Sequence, residues 1–208
     1  WTEKYNSSSS AALRVIAQST ANNTFVCAGA NSSGGNPRFV SSTDGISYNS
    51  IVLPNSAGAN YVTYGNGYFA IAQQYDATAN QNAYYSTNGT TWTGYLIYSG
   101  VNQLNIIYTG TTFISTNTSG GYQYVAANNF SSSQLGPFTT SLMNASSGSG
   151  SVAFGLGRIL ALGSDGRQYL STDGTTFTDS VVQSANASPS QNIYAVSFGN
   201  GKFVGANT

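Results

Sequence analysis

Apolar and polar positions alternate in short runs along this chain, and each run is cut by Gly or Asn before it reaches helix length. Around position 69, the large Phe69, Ile71 and Gln73 interleave with the small Ala70 and Ala72, the period-2 pattern of a strand with two unlike faces. Read this way, residues 61–64 form a strand, Gly65-Asn66-Gly67 a tight turn and residues 69–73 a second strand. A loop to Ala83 precedes a third strand at 84–87, and the Asn88-Gly89 turn feeds a fourth at 91–95. Both turns carry the residues that tolerate positive φ, so the hairpins are the firmest part of the reading. No segment has a helical period.

The same phrase recurs. Ala21-Asn-Asn-Thr-Phe25-Val, Gly65-Asn-Gly-Tyr-Phe69-Ala, Gly110-Thr-Thr-Phe113-Ile, Gly155-Leu-Gly-Arg-Ile159-Leu and Gly199-Asn-Gly-Lys-Phe203-Val each place a turn before an apolar anchor. The anchors are spaced by 44, 44, 46 and 44 residues. A second landmark follows the first four anchors: Ser42-Thr-Asp44-Gly45-Ile-Ser-Tyr48, Ser86-Thr-Asn88-Gly89-Thr-Thr-Trp92, a degraded Ser132-Ser-Gln-Leu-Gly136-Pro-Phe138, and Ser171-Thr-Asp173-Gly174-Thr-Thr-Phe177. Four-stranded units repeating every 40 to 50 residues or so are the blades of a β-propeller, whose radial closure protects most sheet edges. The expected fold is therefore all-β: a single domain over residues 1–208, a five-bladed propeller with units near 12–50, 58–95, 101–141, 149–180 and 191–208.

The last unit is short. Five periods need about 220 residues and the chain has 208. Trp1-Thr2-Glu3-Lys4-Tyr5 reads like Trp92-Thr93-Gly94-Tyr95, so residues 1–5 are expected to supply the outer strand of the last blade, which is left incomplete. Trp1 is not an initiator Met, so the chain is expected to be a processed product or part of a longer one.

The Ser-x-Asp-Gly-x-x-aromatic element resembles the Asp box, or bacterial neuraminidase repeat, of sialidase-like propellers, sortilin-type domains and many phage and bacterial surface proteins. The style of Phe198-Gly-Asn-Gly-Lys-Phe203-Val with Ser171-Thr-Asp-Gly-Thr-Thr-Phe177 also looks like the propeller modules of phage tail or head fibres. The resemblance implies that Asp44, Asn88 and Asp173 are structural turn caps, with the following Gly left-handed and the aromatic packed between sheets. It also supplies the demands of an enzyme. Sialidases of this kind need an arginine triad, a Tyr–Glu nucleophile pair and an Asp acid/base. The four Arg (14, 38, 158, 167) place no triad, and the only Glu is Glu3. Setting the caps aside, Glu3, Asp76, Asp165 and Asp179 are the carboxylates left for acid/base work, and no motif pairs them.

Charge narrows the function further. Charged residues make up 6% of the chain and balance to zero, against roughly 25% in ordinary domains. No basic footprint for nucleic acid and no polybasic membrane patch can be assembled, and no apolar run is long enough to insert in a membrane. Polarity comes instead from Ser, Thr and Asn, 75 residues in all, while 13% aromatic content separates the chain from disordered tracts of similar polarity. With no His and a single Cys27, the chain lacks the commonest general base and any thiolate cluster, so no metal or cofactor is expected.

In a four-stranded unit the two-to-three loops and the connections between units share one face, and here they are the variable segments. Loops on a rigid scaffold can vary without disturbing packing, which makes this the expected recognition face. The candidate ligand-binding residues are Gln74, Tyr75, Asp76, Asn80 and Asn82, then Arg38, Tyr122, Asp165 and Arg167. Amides, carboxylates and an exposed ring suit a saccharide, which needs directional bonds to hydroxyls and a flat apolar surface. The expected function is a non-enzymatic recognition or display module for cell-surface carbohydrate or a surface receptor, on a phage particle or a secreted lectin-like protein. It would be placed on a virion surface or outside the cell, within a multimeric assembly. A structural spacer with no ligand is the alternative reading, and a glycoside hydrolase the third.

Overall fold

The computed structural model describes residues 12–30, 38–53, 57–97, 99–117, 122–126, 130–131, 134–135, 139–142, 149–163, 167–181 and 193–207. Among these every regular element is a β-strand. The contacts divide into two compact units, Trp1–Gln103 and Leu104–Thr208.

The first unit holds two four-stranded antiparallel meanders. One runs β1 (Ala12–Gln18), β2 (Phe25–Ala30), β3 (Phe39–Ser42) and β4 (Asn49–Ile51); the other runs β5 (Ala59–Gly65), β6 (Tyr68–Asp76), β7 (Gln81–Ser86) and β8 (Thr93–Tyr95). They pack face to face. Val26, Ala28, Phe39, Ile51 and Leu53 of the first meet Val62, Phe69, Ile71, Tyr84 and Trp92 of the second in one buried cluster. Burial of such side chains contributes on the order of 1.5–3 kcal/mol each. Gly89 sits at this seam with φ of +76°, and a Cβ on it would lie 3.0 Å from both Thr24 and Val26 side chains. Glycine is required there by conformation and by space.

The second unit begins a residue after the start of β9 (Gln103–Tyr108), which pairs into a sheet with β10 (Phe113–Asn117), β11 (Tyr122–Ala126) and β14 (Thr139–Leu142). Between β11 and β14 the chain makes a small extra hairpin of β12 (Phe130–Ser131) and β13 (Gln134–Leu135). This falls on the degraded box at 132–138, where the Asp-Gly pair is missing. A further meander follows, β15 (Ser149–Gly155), β16 (Arg158–Gly163), β17 (Arg167–Ser171) and β18 (Thr178–Val181), then the hairpin β19 (Ile193–Gly199) and β20 (Lys202–Asn207). β15 and β19 approach so closely that a Cβ on Gly155 would fall 2.2 Å from the Phe198 ring.

Three of the one-to-two hairpins repeat the same turn. Asn66-Gly67, Leu156-Gly157 and Asn200-Gly201 all have positive φ at both central positions, the turn whose twist matches the flanking strands. An aromatic on strand one then meets the anchor on strand two: Tyr64 and Phe69 have centroids 4.8 Å apart, Tyr108 and Phe113 4.8 Å, Phe198 and Phe203 4.9 Å. Burial of the anchors is less uniform than the sequence suggests. Phe69, Phe113 and Ile159 are core, whereas Phe25 and Phe203 are only half-buried. Phe25 points away from the packed seam that takes its neighbours Val26 and Ala28, and Phe203 belongs to a two-stranded sheet. Residues 1–5, expected to complete that last sheet, lie outside the described residues.

Candidate functional site

The stereotyped turns come first because they define what is scaffold. In each, the serine hydroxyl donates to the side-chain oxygen two residues on, 3.0 Å for Ser42–Asp44, Ser86–Asn88 and Ser171–Asp173. The Gly N–H donates back to that serine at 2.8, 2.8 and 2.9 Å. Two further N–H groups, of residues 46 and 47, 90 and 91, or 175 and 176, donate to the same Oδ1 at 2.7–2.9 Å. These donors stabilise the charged form of the acids. The Ser47 and Ile46 amides and the Ser42 hydroxyl hold the Asp44 carboxyl at about 2, below its ordinary 3.8. The Thr176 and Thr175 amides depress Asp173 likewise. With one oxygen filled by three donors, these carboxylates act as turn caps.

The variable face is different. β6 runs on to Asp76 and β7 starts at Gln81, so the loop expected from 74 to 83 is mostly a hairpin extension. Ala72 pairs with Ala83 and Asp76 with Gln81, which leaves Gln73, Gln74 and Tyr75 opposite the single Asn82. That bulge aims the 74–76 segment outward, a device common beside binding sites. It is anchored from both sides: the Gln74 N–H donates to the Gly58 carbonyl at 3.0 Å and the Tyr75 N–H to Asn102 Oδ1 at 2.8 Å. The Tyr75 hydroxyl donates to Asn80 Oδ1 at 3.0 Å and lies 3.2 Å from Ser99 Oγ. Asp76 Oδ1 accepts the Thr78 and Ala79 N–H groups at 2.8 and 3.1 Å, closing the tip, where Asn80 takes φ of +51°. Gln74 is exposed, and Tyr75 and Asp76 are half-buried.

Four candidates, Gln74, Tyr75, Asp76 and Asn80, therefore share one preorganised hairpin. Asn82 does not join them at the surface. It is fully buried, donating to the Val101 carbonyl at 3.0 Å and accepting the Ile97 N–H at 2.8 Å, so its amide ties the 96–102 connection to β7. The reason is its place opposite the bulge, facing inward. Ser99 and Asn102 enter the site without a sequence signal beyond lying in a variable connection. Beneath it Gln73 is fully buried, and neither of its side-chain polar atoms has a hydrogen-bond partner.

The other candidates are placed elsewhere. Arg38 precedes β3, its carbonyl accepting the Gly29 N–H at 2.9 Å. Tyr122 opens β11, paired with Leu142. Arg167, at the start of β17, forms a hydrogen-bonded ion pair with Asp179 on β18, which commits its guanidinium. Asp165 lies outside the described residues. Cys27 is buried, and desolvation raises its thiol pKa, which disfavours the nucleophilic thiolate.

No family model matches the sequence, and no curated protein matches it. Solved structures do resemble the fold. One from a nidogen/laminin complex superposes with a TM-score of 0.63 at 8% identity, over 94% of this chain and 72% of that one. YCF48 bound to D1 peptide gives 0.66 at 13%, over 94% and 60%. Chaetomium thermophilum Raptor gives 0.67 at 11%, over 93% and 18%. The chain thus spans well under two thirds of the Raptor chain and somewhat under two thirds of the YCF48 chain. These likenesses show an all-β fold with propeller-like neighbours.

Proposed function

We propose that this chain is a non-enzymatic recognition module whose 74–80 hairpin binds cell-surface carbohydrate, on a virion surface or on a secreted lectin-like protein. The carrying observation is the bulge at 73–75, which presents the Tyr75 ring beside an exposed Gln74 amide and the Asp76 carboxylate while backbone bonds to Gly58 and Asn102 hold it still. A rigid ring flanked by hydrogen-bonding groups loses little entropy on meeting a sugar. Single sites of this kind are weak, and repetition on a multimeric particle would raise their avidity. Membership of the Asp-box family belongs to the same proposal, supported by the three equivalent turns at Asp44, Asn88 and Asp173. So does closure into five blades, supported by the 44-residue register. Removal of residues 1–5 is then expected to lower the melting temperature, and an unchanged unfolding curve would argue against closure by that strand.

The spacer reading has one observation in its favour: Tyr75 Oη, Asp76 Oδ1 and Asn80 Oδ1 are all bonded within the molecule. A glycan array with the whole chain separates the two. Hits on microbial polysaccharides that disappear in Tyr75→Ala or Asp76→Ala, with melting temperature retained, support recognition. A blank array supports the spacer, and reducing sugar released from a bound glycan would replace both with a hydrolase.

A further inference from the structure

The second strand is covered in each four-stranded sheet and uncovered in the final hairpin. Val26, Ala70, Ile114 and Leu160, each the residue after its anchor, are at most 8% exposed. Their counterpart on β20, Val204, is 66% exposed, and Gly205 and Ala206 are exposed beside it. The sequence is nevertheless that of a covered strand: Val204 and Ala206 repeat Val26 and Ala28, which lie in the packed seam of the first unit. Among the described residues β20 pairs only with β19, whereas β2, β6, β10 and β16 each carry a third strand on their second edge. Proteins blunt an edge that stays open with Pro, charge or a bulge. β20 has no Pro over its six residues, its one charge, Lys202, is at the turn, and the irregularity of this hairpin lies on β19.

Register decides which backbone groups the open edge presents. The two-residue turn Asn200-Gly201 makes Gly199 and Lys202 a hydrogen-bonded pair, and such pairs alternate along an antiparallel ladder. Val204, opposite Ser197, therefore directs its N–H and C=O to β19, while Phe203 and Gly205 direct theirs to the open edge. The other sheets show what these two positions take. The anchor faces Ser42, Ser86, Ala126 or Ser171, always a small residue. The residue two beyond the anchor faces Val40 in the first sheet and a tyrosine in the next three, Tyr84, Tyr124 and Tyr169. Tyr84 and Tyr169 are fully buried there. On β20 this second position is Gly205, which leaves a cross-strand ring the most room and has no side chain of its own to cover the strand.

We propose that the β20 edge binds an extended segment of another polypeptide that carries the phrase Tyr-x-Ser, antiparallel to β20, with its Ser opposite Phe203 and its Tyr opposite Gly205. Backbone bonds at Phe203 and Gly205 supply the affinity, and the ring packed over Gly205 supplies the selectivity. Residues 1–5, expected as an outer strand, would pair beyond this third strand and do not compete for the edge. The edge shares no residue with the Tyr75 hairpin, so each proposal can fail alone.

The test is amide hydrogen exchange of the whole chain, read by NMR with and without a synthetic peptide copying residues 167–174, Arg-Gln-Tyr-Leu-Ser-Thr-Asp-Gly. Millimolar peptide is expected to slow exchange at Phe203 and Gly205 by about tenfold or more, and to leave Val204, already bonded to β19, little changed. Tyr169→Gly in the peptide should weaken binding about fivefold. Gly205→Val in the chain should remove that preference, because a β-branched side chain takes the space of the ring while suiting a strand, so melting temperature is retained. Tyr75→Ala should leave peptide binding unchanged. No slowing at Phe203 and Gly205, equal slowing by a scrambled peptide, or a tyrosine preference that survives Gly205→Val would overturn the proposal.

Discussion

The β5–β8 and β15–β18 sheets share turns and anchors and differ in the residues beside them. Their turns superpose bond for bond: Ser86-Thr-Asn88-Gly89 and Ser171-Thr-Asp173-Gly174 place the same donors on the same oxygen. Their anchors, Phe69 and Ile159, are both buried. Beside that frame the residues diverge: Tyr68 and Tyr85 meet edge to face with centroids 6.4 Å apart where the other sheet carries Arg158 and Leu170. The difference shows that the repeat keeps the anchor and turn positions and lets the residues next to them on the same strands vary.

The largest break in this comparison should come from the shared core. Phe69→Ala is expected to cost about 3–5 kcal/mol and Ile159→Ala about 2–5 kcal/mol, because both leave cavities in packed sheets. Half-buried Phe203→Ala should cost clearly less by chemical denaturation; equal costs would mean that the final hairpin is packed as tightly as the others. A smaller effect is expected at the one-to-two turns, where Asn66 and Leu156 occupy the same left-handed position with φ of 47° and 52°. Leu156 is 72% exposed, so its side chain gains little from burial in return for that strain. Leu156→Asn should stabilise and Asn66→Leu destabilise, each by about 1 kcal/mol.

The smallest effect concerns the caps and appears only in acid. Asp44 and Asp173 have depressed pKa values in the folded chain, so their contribution is present in full above the unfolded value near 3.8 and declines as pH falls toward the folded values, about 2 for Asp44. Asn88 makes the same bonds without titrating. The double variant Asp44→Asn, Asp173→Asn should therefore show a flatter fall of melting temperature between about pH 4 and 2 than the parent chain. An equally steep fall would assign acid sensitivity to other groups.

Much of the frame is legible in the sequence because it is local. The Gly-x-Gly and Ser-Thr-Asp-Gly phrases specify turns whose backbone needs positive φ and whose orphan N–H groups need an acceptor within three residues, and both needs are met without distant partners. The site is legible only in part. Gln74, Tyr75, Asp76 and Asn80 are candidates by their place in a variable loop, but Asn82, identical in type to Asn80 and two positions beyond it, turns inward. The three-against-one bulge that decides this depends on what β6 pairs with.

The sequence by itself determined the period, the turn chemistry, the all-β class and the alternation of strand faces, since each follows from φ preferences and a side-chain period of two. Only the tertiary structure decided the register. β1, β5, β15 and β19 each carry an irregularity at one position, Arg14, Asn60, Gly150 and Tyr194, with no residue type in common. Contacts between strands use it: the Asn60 amide donates to the Gln103 carbonyl at 2.6 Å, and the Ser151 hydroxyl accepts the Val196 N–H at 2.9 Å. A bulge arises where neighbouring sheets must twist past one another, and that demand comes from residues more than forty positions away, beyond the reach of any local pattern.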